Sequence, residues 1–133
     1  MTVYRQFFRF SVIGAIGFLV DVSVLYLLNG LGFDLYTARL VSFLCAATFT
    51  WLGNRLFTFR ESGLVRRASG SEWLAYVAAM TLGGLVNYGV YALLITFVDP
   101  FGLYPWLAVA AGTGAGLSIN FLLARRILHH PGA

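Results

Sequence analysis

The chain has 133 residues, of which 59% are hydrophobic and only 11% are charged. Its mean hydropathy of +0.81 is far above that of soluble globular domains, so the composition excludes a water-soluble enzyme and a disordered chain. The formal net charge of +4 comes from arginines that flank apolar segments, which favours a role in membrane topology over nucleic-acid binding.

Four apolar stretches follow one another along a single predicted domain, 1–133. Each is long enough to cross a hydrocarbon core of about 30 Å as a helix, since a helix rises about 1.5 Å per residue. Helices are expected because lipid offers backbone groups no hydrogen-bond partners. The predicted fold class is therefore an all-α integral membrane protein with transmembrane spans at about 10–29, 38–57, 73–98 and 104–124. A turn at 29–34, a polar loop at 60–72 and a short turn at 99–102 connect them.

The arginines predict the orientation of these spans. There is no lysine, and all arginines except Arg39 lie before span one, around the middle loop or after span four. Positive residues accumulate on the cytoplasmic side of membrane proteins. The N and C termini and the middle loop are thus expected in the cytoplasm, with Arg39 on the opposite side.

The two halves of the chain match at a constant offset of 66 residues. Residues 17–28 align with 83–94, and the same offset aligns Thr50 with Gly116 and Asn54 with Asn120. The pattern favours a parallel tandem repeat of two-helix units over chance similarity, with copies at about 9–59 and 75–125.

Asp21 is the first candidate for a functional residue. A carboxylate at mid-membrane costs about 2.5 to 3.5 kcal/mol, so it needs a compensating role. Gly14 and Gly17 share its helical face, as Gly83 or Gly84 shares that of Asn87, and these small residues allow close helix contact. The two faces are expected to meet inside the bundle. The structural alternative is an interhelical hydrogen bond between Asp21 and Asn87.

Further polar residues lie near the ends of the spans. Arg9 and Arg55 at the inner interface and Arg39 at the outer one are able to bind phosphate oxygens, although lipid anchoring also explains the inner pair. Asn54 and Asn120 end stripes of small residues in spans two and four. They are predicted to support helix packing or to line a polar entrance.

No motif indicates catalysis or a bound group. His129 and His130 stand in a terminal tail without other ligands nearby, so no metal site is predicted. No nucleophile-base pattern or nucleotide fingerprint is present, so neither a cofactor nor enzymatic activity is expected.

Several residues together resemble the GtrA family of small four-helix membrane proteins. They are Arg9-Phe10, Gly14, Gly17, Ala38-Arg39 and the run Asn54-Arg55-Leu56-Phe57-Thr58-Phe59. The family's motif residues correspond to Arg9, Asn54, Arg55, Thr58 and Phe59. The resemblance implies a flippase of the bacterial cytoplasmic membrane. Such a protein moves a polyprenyl-phosphate-linked sugar outward for cell-surface polysaccharide synthesis, where a membrane glycosyltransferase then uses it.

The sequence supports one main hypothesis. Arg9 and Arg55 would dock the phosphate inside, Arg39 would receive it outside, and the substrate would hydrogen-bond along the way to the remaining polar residues, Asp21, Asn54, Asn87 and Asn120. Four helices provide little surface to enclose a pathway, so a homo-oligomer, at least a dimer, is expected in the membrane lipid.

Two other functions remain open at this point. One is a proton-coupled exporter of small molecules resembling the small multidrug-resistance proteins, in which Asp21 and nearby aromatic residues would hold a cation. The other is a non-transporting adaptor that recruits a glycosyltransferase through Arg60, Arg66 and Arg67.

Overall fold

The structure, a computed structural model, describes residues 2–60, 67–99 and 105–128, without the side chains of residues 105 and 106. It contains four long helices: α1 (Val3–Gly30), α2 (Leu35–Gly53, continued by a π-helical turn at Asn54–Thr58), α3 (Gly70–Phe97) and α4 (Pro105–Leu128). All four are long and apolar enough to cross a membrane, which confirms the predicted all-helical, four-span class. Residues 100–102 of the predicted turn at 99–102 and residues 61–66 of the predicted loop at 60–72 lie outside the described residues.

Helices α1 and α3 begin before the apolar spans predicted for them. Thr2 caps α1, which begins at Val3 instead of residue 10, and the Ser69 hydroxyl caps α3 by accepting a hydrogen bond from the backbone N–H of Glu72 at 3.2 Å. Polar first turns with such caps continue a helix past the hydrocarbon boundary, where hydropathy alone does not detect it.

The turn between α1 and α2 is built by local backbone chemistry. Gly32 adopts a φ of 98°, and the N–H of Phe33 returns to the carbonyl of Leu28 at 3.1 Å, which closes α1 in a Schellman motif. The Asp34 carboxylate then caps α2 by accepting the backbone N–H of Thr37 at 3.0 Å. This hydrogen bond lowers the pKa of the Asp34 carboxyl below its usual range.

The helices pack as two hairpins, α1 with α2 and α3 with α4. The hairpins are joined at the end where α1 and α3 begin and α2 and α4 finish, which we call the clamped end; the opposite end is the far end. Within the described residues, every side-chain hydrogen bond between hairpins involves this half of the bundle. The shared hydrophobic cluster lies here too, around Phe10, Trp51, Phe59, Tyr76 and Phe121.

The glycine faces of α1 and α3 serve contacts within each hairpin. Gly17 packs against Thr50 of α2, and Gly83 packs against Asn120 of α4. The prediction that these two faces meet each other was wrong. Each glycine instead allows close approach of the other helix in its own hairpin. Antiparallel helices joined by a short connection are neighbours along the chain and pack against each other in preference to more distant helices.

Gly112 and Gly114 provide a matched test of this packing. A Cβ at Gly112 would lie 2.5 Å from the backbone oxygen of Asn87, whereas a Cβ at Gly114 meets nothing within 4 Å. We expect Gly112→Ala to lower the free energy of unfolding by about 1 to 3 kcal/mol because the backbone of α3 must shift. Gly114→Ala should be neutral or stabilising, since alanine favours helix by about 1 kcal/mol. Unfolding by denaturing detergent checks both, and equal losses would contradict the packing described here.

Candidate functional site

An ion pair lies in the far half of the first hairpin. The Nη1 atom of Arg39 is 2.5 Å from the Oδ1 atom of Asp21. The Asp21 side chain is 13% exposed, but that of Arg39 is 59% exposed. The carboxylate is therefore sheltered between helices, while much of the guanidinium remains available to another group.

The depth of this pair is unusual for charged groups. Asp21 lies nine residues before the end of α1, about 13 Å along the helix axis, and Arg39 lies four residues after the start of α2. The long arginine side chain thus reaches towards the carboxylate along the hairpin. The pairing explains how Asp21 is tolerated in an apolar span, and it is a different partner from Asn87, the structural alternative considered from the sequence.

Asn54 belongs to a buried hydrogen-bond chain at the clamped end. Its Nδ2 donates to the hydroxyl of Tyr76 at 2.9 Å, and its Oδ1 accepts from the hydroxyl of Thr58 at 2.8 Å. All three residues are almost fully buried. Because Tyr76 belongs to α3, this chain fastens the two hairpins together.

Arg55, like Asn54, makes a contact that joins the two hairpins. Its Nη1 atom lies 2.5 and 2.7 Å from the two carboxylate oxygens of Glu72 at the start of α3. The indole of Trp51 donates to the same carboxylate at 3.0 Å. With side-chain exposures of 14% and 8%, the Arg55–Glu72 pair is largely buried. We call the polar contacts that join the hairpins at the clamped end the clamp, and Arg55 is part of it.

Arg9 caps the π-helical turn that ends α2. Its Nη1 atom donates to the backbone oxygen of Phe57 at 2.8 Å, while the N–H of Phe59 returns to the carbonyl of Asn54 at 2.9 Å. Arg9 itself is exposed. The run from Asn54 to Phe59 therefore forms the centre of the clamp. Of the two arginines in the family motif, Arg9 is the one that remains exposed.

Removing one hydroxyl should weaken this clamp. Tyr76→Phe leaves the buried Nδ2 of Asn54 without an acceptor, which costs about 1 to 3 kcal/mol of unfolding free energy. Detergent unfolding monitored by circular dichroism measures the loss. Tyr26→Phe, on an exposed ring of α1, is the control and should change nothing. Equal stability of the two variants would contradict the hydrogen-bond assignment.

Asn120 occupies the place of Asn54 in the second hairpin but lacks its partners. Among the described residues, its Oδ1 is the single buried side-chain polar atom without a hydrogen bond. The 66-residue offset explains this, because Phe10 stands where Tyr76 would provide a hydroxyl and Ala124 stands where Thr58 would. An orphaned buried oxygen costs free energy and marks Asn120 as a site candidate.

Asn87 lies at the contact between α3 and α4. Its Cβ and backbone oxygen lie against Gly116 and Gly112, the small residues that let α4 approach. In the described part of the chain its side-chain amide has no hydrogen-bond partner. Asn87 is therefore separate from the Asp21–Arg39 pair, which belongs to the other hairpin.

Sequence reasoning missed the residues that complete the clamp. Glu72, Tyr76 and Gln6 were not singled out, yet Gln6 is fully buried and accepts from Nε of Arg125 at 3.1 Å. One signal was available for Glu72: it is an acid directly beside an apolar span, at the end of a loop that carries three arginines.

Comparison with known families agrees with this architecture. The family described as GtrA/DPMS, transmembrane domain, matches residues 9–129. The chain belongs to the GtrA/DPMS transmembrane-domain family. This confirms the resemblance drawn from the sequence and makes the protein a multi-pass membrane protein. A lipid-linked sugar flippase fits the GtrA/DPMS family, whose members are generally non-catalytic translocases. No curated protein matches the chain significantly.

Proposed function

We propose that the protein is a flippase that carries a polyprenyl-phosphate-linked monosaccharide across the bacterial cytoplasmic membrane for cell-surface polysaccharide synthesis. The observation that carries this proposal is the Asp21–Arg39 pair, because it presents a largely exposed guanidinium below the end of a membrane helix. A guanidinium binds phosphate oxygens bidentately and keeps its charge at any depth. The lipid tail of the carrier stays in the bilayer, so only the phosphate and sugar need polar contacts.

The polar residues define a path for the head group. Arg9, accessible at the clamped end, receives the phosphate first, and Arg39 receives it in the far half. Between Arg9 and Arg39, the orphaned oxygen of Asn120 offers a hydrogen bond, and so does the amide of Asn87, which has no partner among the described residues. Arg55 is removed from the phosphate-binding set because Glu72 already neutralises it.

Asn54 leaves the path for a similar reason. Both of its amide atoms are satisfied within the clamp, and only 1% of the residue is exposed. Asp21 keeps an indirect role: it holds Arg39 at depth through Nη1, while the exposed remainder of the guanidinium binds the phosphate. The guanidinium then lies between the two anions and offsets the repulsion between the carboxylate and the substrate.

The parallel repeat and the orientation belong to the same proposal. Equivalent contacts in the two hairpins support the repeat: Gly17 packs on Thr50, and a Cβ at Gly116, the equivalent of Thr50, would meet the backbone oxygen of Gly83. Arg9, Arg55 and Arg125 all lie at the clamped end, which supports a cytoplasmic clamp with both termini inside. The far end then faces the outer leaflet.

A homo-oligomer, at least a dimer, completes the proposal. About half of the residues in the far half of the described helices are exposed and few are buried, so each hairpin has free apolar faces for lipid or a second copy. A membrane glycosyltransferase that consumes the exported sugar is the expected functional partner.

The two rival functions meet different obstacles. For a cation exporter, Asp21 would have to bind its substrate, but Arg39 already occupies the carboxylate. For a non-transporting adaptor, the far-half polar groups would have no task. Of its proposed contact residues, Arg60 and Arg67 are exposed, and Arg66 lies outside the described residues.

Reconstitution tests the proposed function. Purified protein is placed in liposomes with a polyprenyl-phosphate hexose on the inner leaflet, and exposure of the sugar to an impermeant oxidant outside is followed with time. Protein-dependent exposure well above that of protein-free liposomes is expected. A folded protein that gives no added exposure would favour the adaptor.

A further inference from the structure

A groove opens between α3 and α4 in the second hairpin, separate from the Asp21–Arg39 pair. It has a volume of about 270 Å³ and is lined by Gly84, Asn87, Tyr88, Tyr91, Val109 and Thr113. Asn87, Tyr88 and Thr113 lie eight to ten residues inside the far ends of α3 and α4, about 12 to 15 Å along the helix axis, at the depth of lipid chains. A groove bearing an amide and three hydroxyl groups is costly there unless a polar ligand uses it.

The chemistry of the lining is neutral and aromatic. Tyr88 and Tyr91 stand with ring centroids 6.5 Å apart and planes inclined by 42°, so they present two tilted faces instead of a stack. No charged side chain lines the groove, and among the described residues none of its polar side chains has a hydrogen-bond partner. Aromatic faces with nearby neutral donors and acceptors suit a ring that is apolar on its faces and hydroxylated at its edge.

The first hairpin differs from the second at the equivalent position of the repeat. Asp21 is the repeat equivalent of Asn87, and Arg39 reaches it from α2. The equivalent of Arg39 is Pro105, which has no cation to offer. The first hairpin therefore presents a charged site at this position along the repeat, and the second presents an uncharged groove.

We infer that the groove between α3 and α4 binds the sugar ring of the lipid-linked substrate. This inference rests on the proposed function and names the part of the substrate that the second hairpin recognises. The size of the groove sits at the lower limit of ligand pockets, which suits one sugar ring. Tyr88 and Tyr91 pack side by side against the sugar ring, and Asn87 and Thr113 hydrogen-bond to its hydroxyl groups.

Binding measurements in nanodiscs test the inference without requiring transport. The probes are a short-chain polyprenyl phosphate, bare or carrying glucose, galactose or mannose. Wild type should bind at least one of the hexose-bearing lipids about tenfold more tightly than the bare lipid. Tyr88→Ala combined with Tyr91→Ala should remove that advantage and leave the affinity for the bare lipid unchanged.

Two matched variants control for folding and for general lipid contact. Tyr26→Ala removes an equally exposed ring from the first hairpin and should keep the full preference for the hexose. Thr113→Val keeps the shape of an exposed groove residue but removes its hydroxyl, and it should reduce the preference about threefold or more. Tyr88 is 70% exposed, so its removal does not empty a core position.

The outcomes separate this inference from the proposed function. Retention of the hexose preference in the double tyrosine variant, or binding of bare and hexose-bearing lipids alike by wild type, overturns the groove assignment but leaves phosphate-lipid transport standing. Failure of wild type to bind either lipid overturns both. Loss of the preference in the double variant, with wild type inactive in the liposome assay, supports the groove and contradicts transport.

Discussion

Replacing Arg39 with alanine is expected to reduce sugar translocation by about tenfold or more. Hydrogen bonds to charged groups contribute roughly 1.5 to 3 kcal/mol, and each 1.4 kcal/mol corresponds to a factor of ten in affinity. We use the lower end of this energy range for Arg39 because its side chain is 59% exposed and partly solvated. The measurements are binding of bare polyprenyl phosphate in nanodiscs and the rate of sugar exposure in liposomes.

Related variants separate the charge of Arg39 from its shape and its partner. Arg39→Lys keeps the charge but loses the planar fork, so it should recover only part of the activity. Asp21→Asn removes the carboxylate that competes with phosphate, so the lipid should bind more tightly and be released more slowly. Arg126→Ala, an exposed arginine in the last turn of α4, is the control and should behave as wild type. Wild-type binding and transport by Arg39→Ala would remove this residue from the path.

Replacing Glu72 with glutamine is expected to produce the largest loss of stability. The carboxylate accepts from Arg55 and Trp51, and both members of the ion pair are largely buried. Neutralising one member leaves a buried charge uncompensated, which costs about 3 to 5 kcal/mol. The midpoint of unfolding in denaturing detergent should fall accordingly, and the hairpins should separate first at the clamped end.

The double variant distinguishes the ion pair from simple loss of a polar group. Arg55→Met combined with Glu72→Gln removes both charges, and most of the lost stability should return. Arg60→Gln, an exposed arginine just after the clamp, is expected to have no effect. A Glu72→Gln protein as stable as wild type would show that the clamp depends on its aromatic cluster instead.

The helices were predictable because their determinants are local. Length, hydropathy and the arginine distribution predict four apolar helices, and the turn at Gly32 and Asp34 is visible as a glycine and capping pattern. The boundaries were less accurate, since capped polar turns at Thr2 and Ser69 carry α1 and α3 beyond their apolar cores.

The contacts between helices were harder to predict because lipid-facing and buried positions are equally apolar. A hydrophobic stripe that would orient a helix in a soluble protein is missing here. Gly17 and Gly83 were therefore correctly seen as close-contact positions but assigned to the wrong neighbours.

The candidate site was likewise only partly predictable from the sequence. Asp21 and Arg39 were each selected from the sequence, but their pairing depends on the reach of an arginine side chain between positions at unequal distances from the turn. Asn54 and Asn120 look equivalent in sequence. Their difference depends on partners in other helices, Tyr76 for one and Phe10 for the other, which only the packed bundle reveals.

The measurement that tests the central claim most directly is the initial rate at which wild-type protein exposes a polyprenyl-phosphate hexose on the outer face of liposomes, beside Arg39→Ala in the same preparation. We predict rapid, protein-dependent exposure by wild type and a rate lower by about tenfold or more for the variant. Equal rates in wild-type, variant and protein-free liposomes, with both proteins folded, would contradict a flippase and leave the adaptor as the function of this fold.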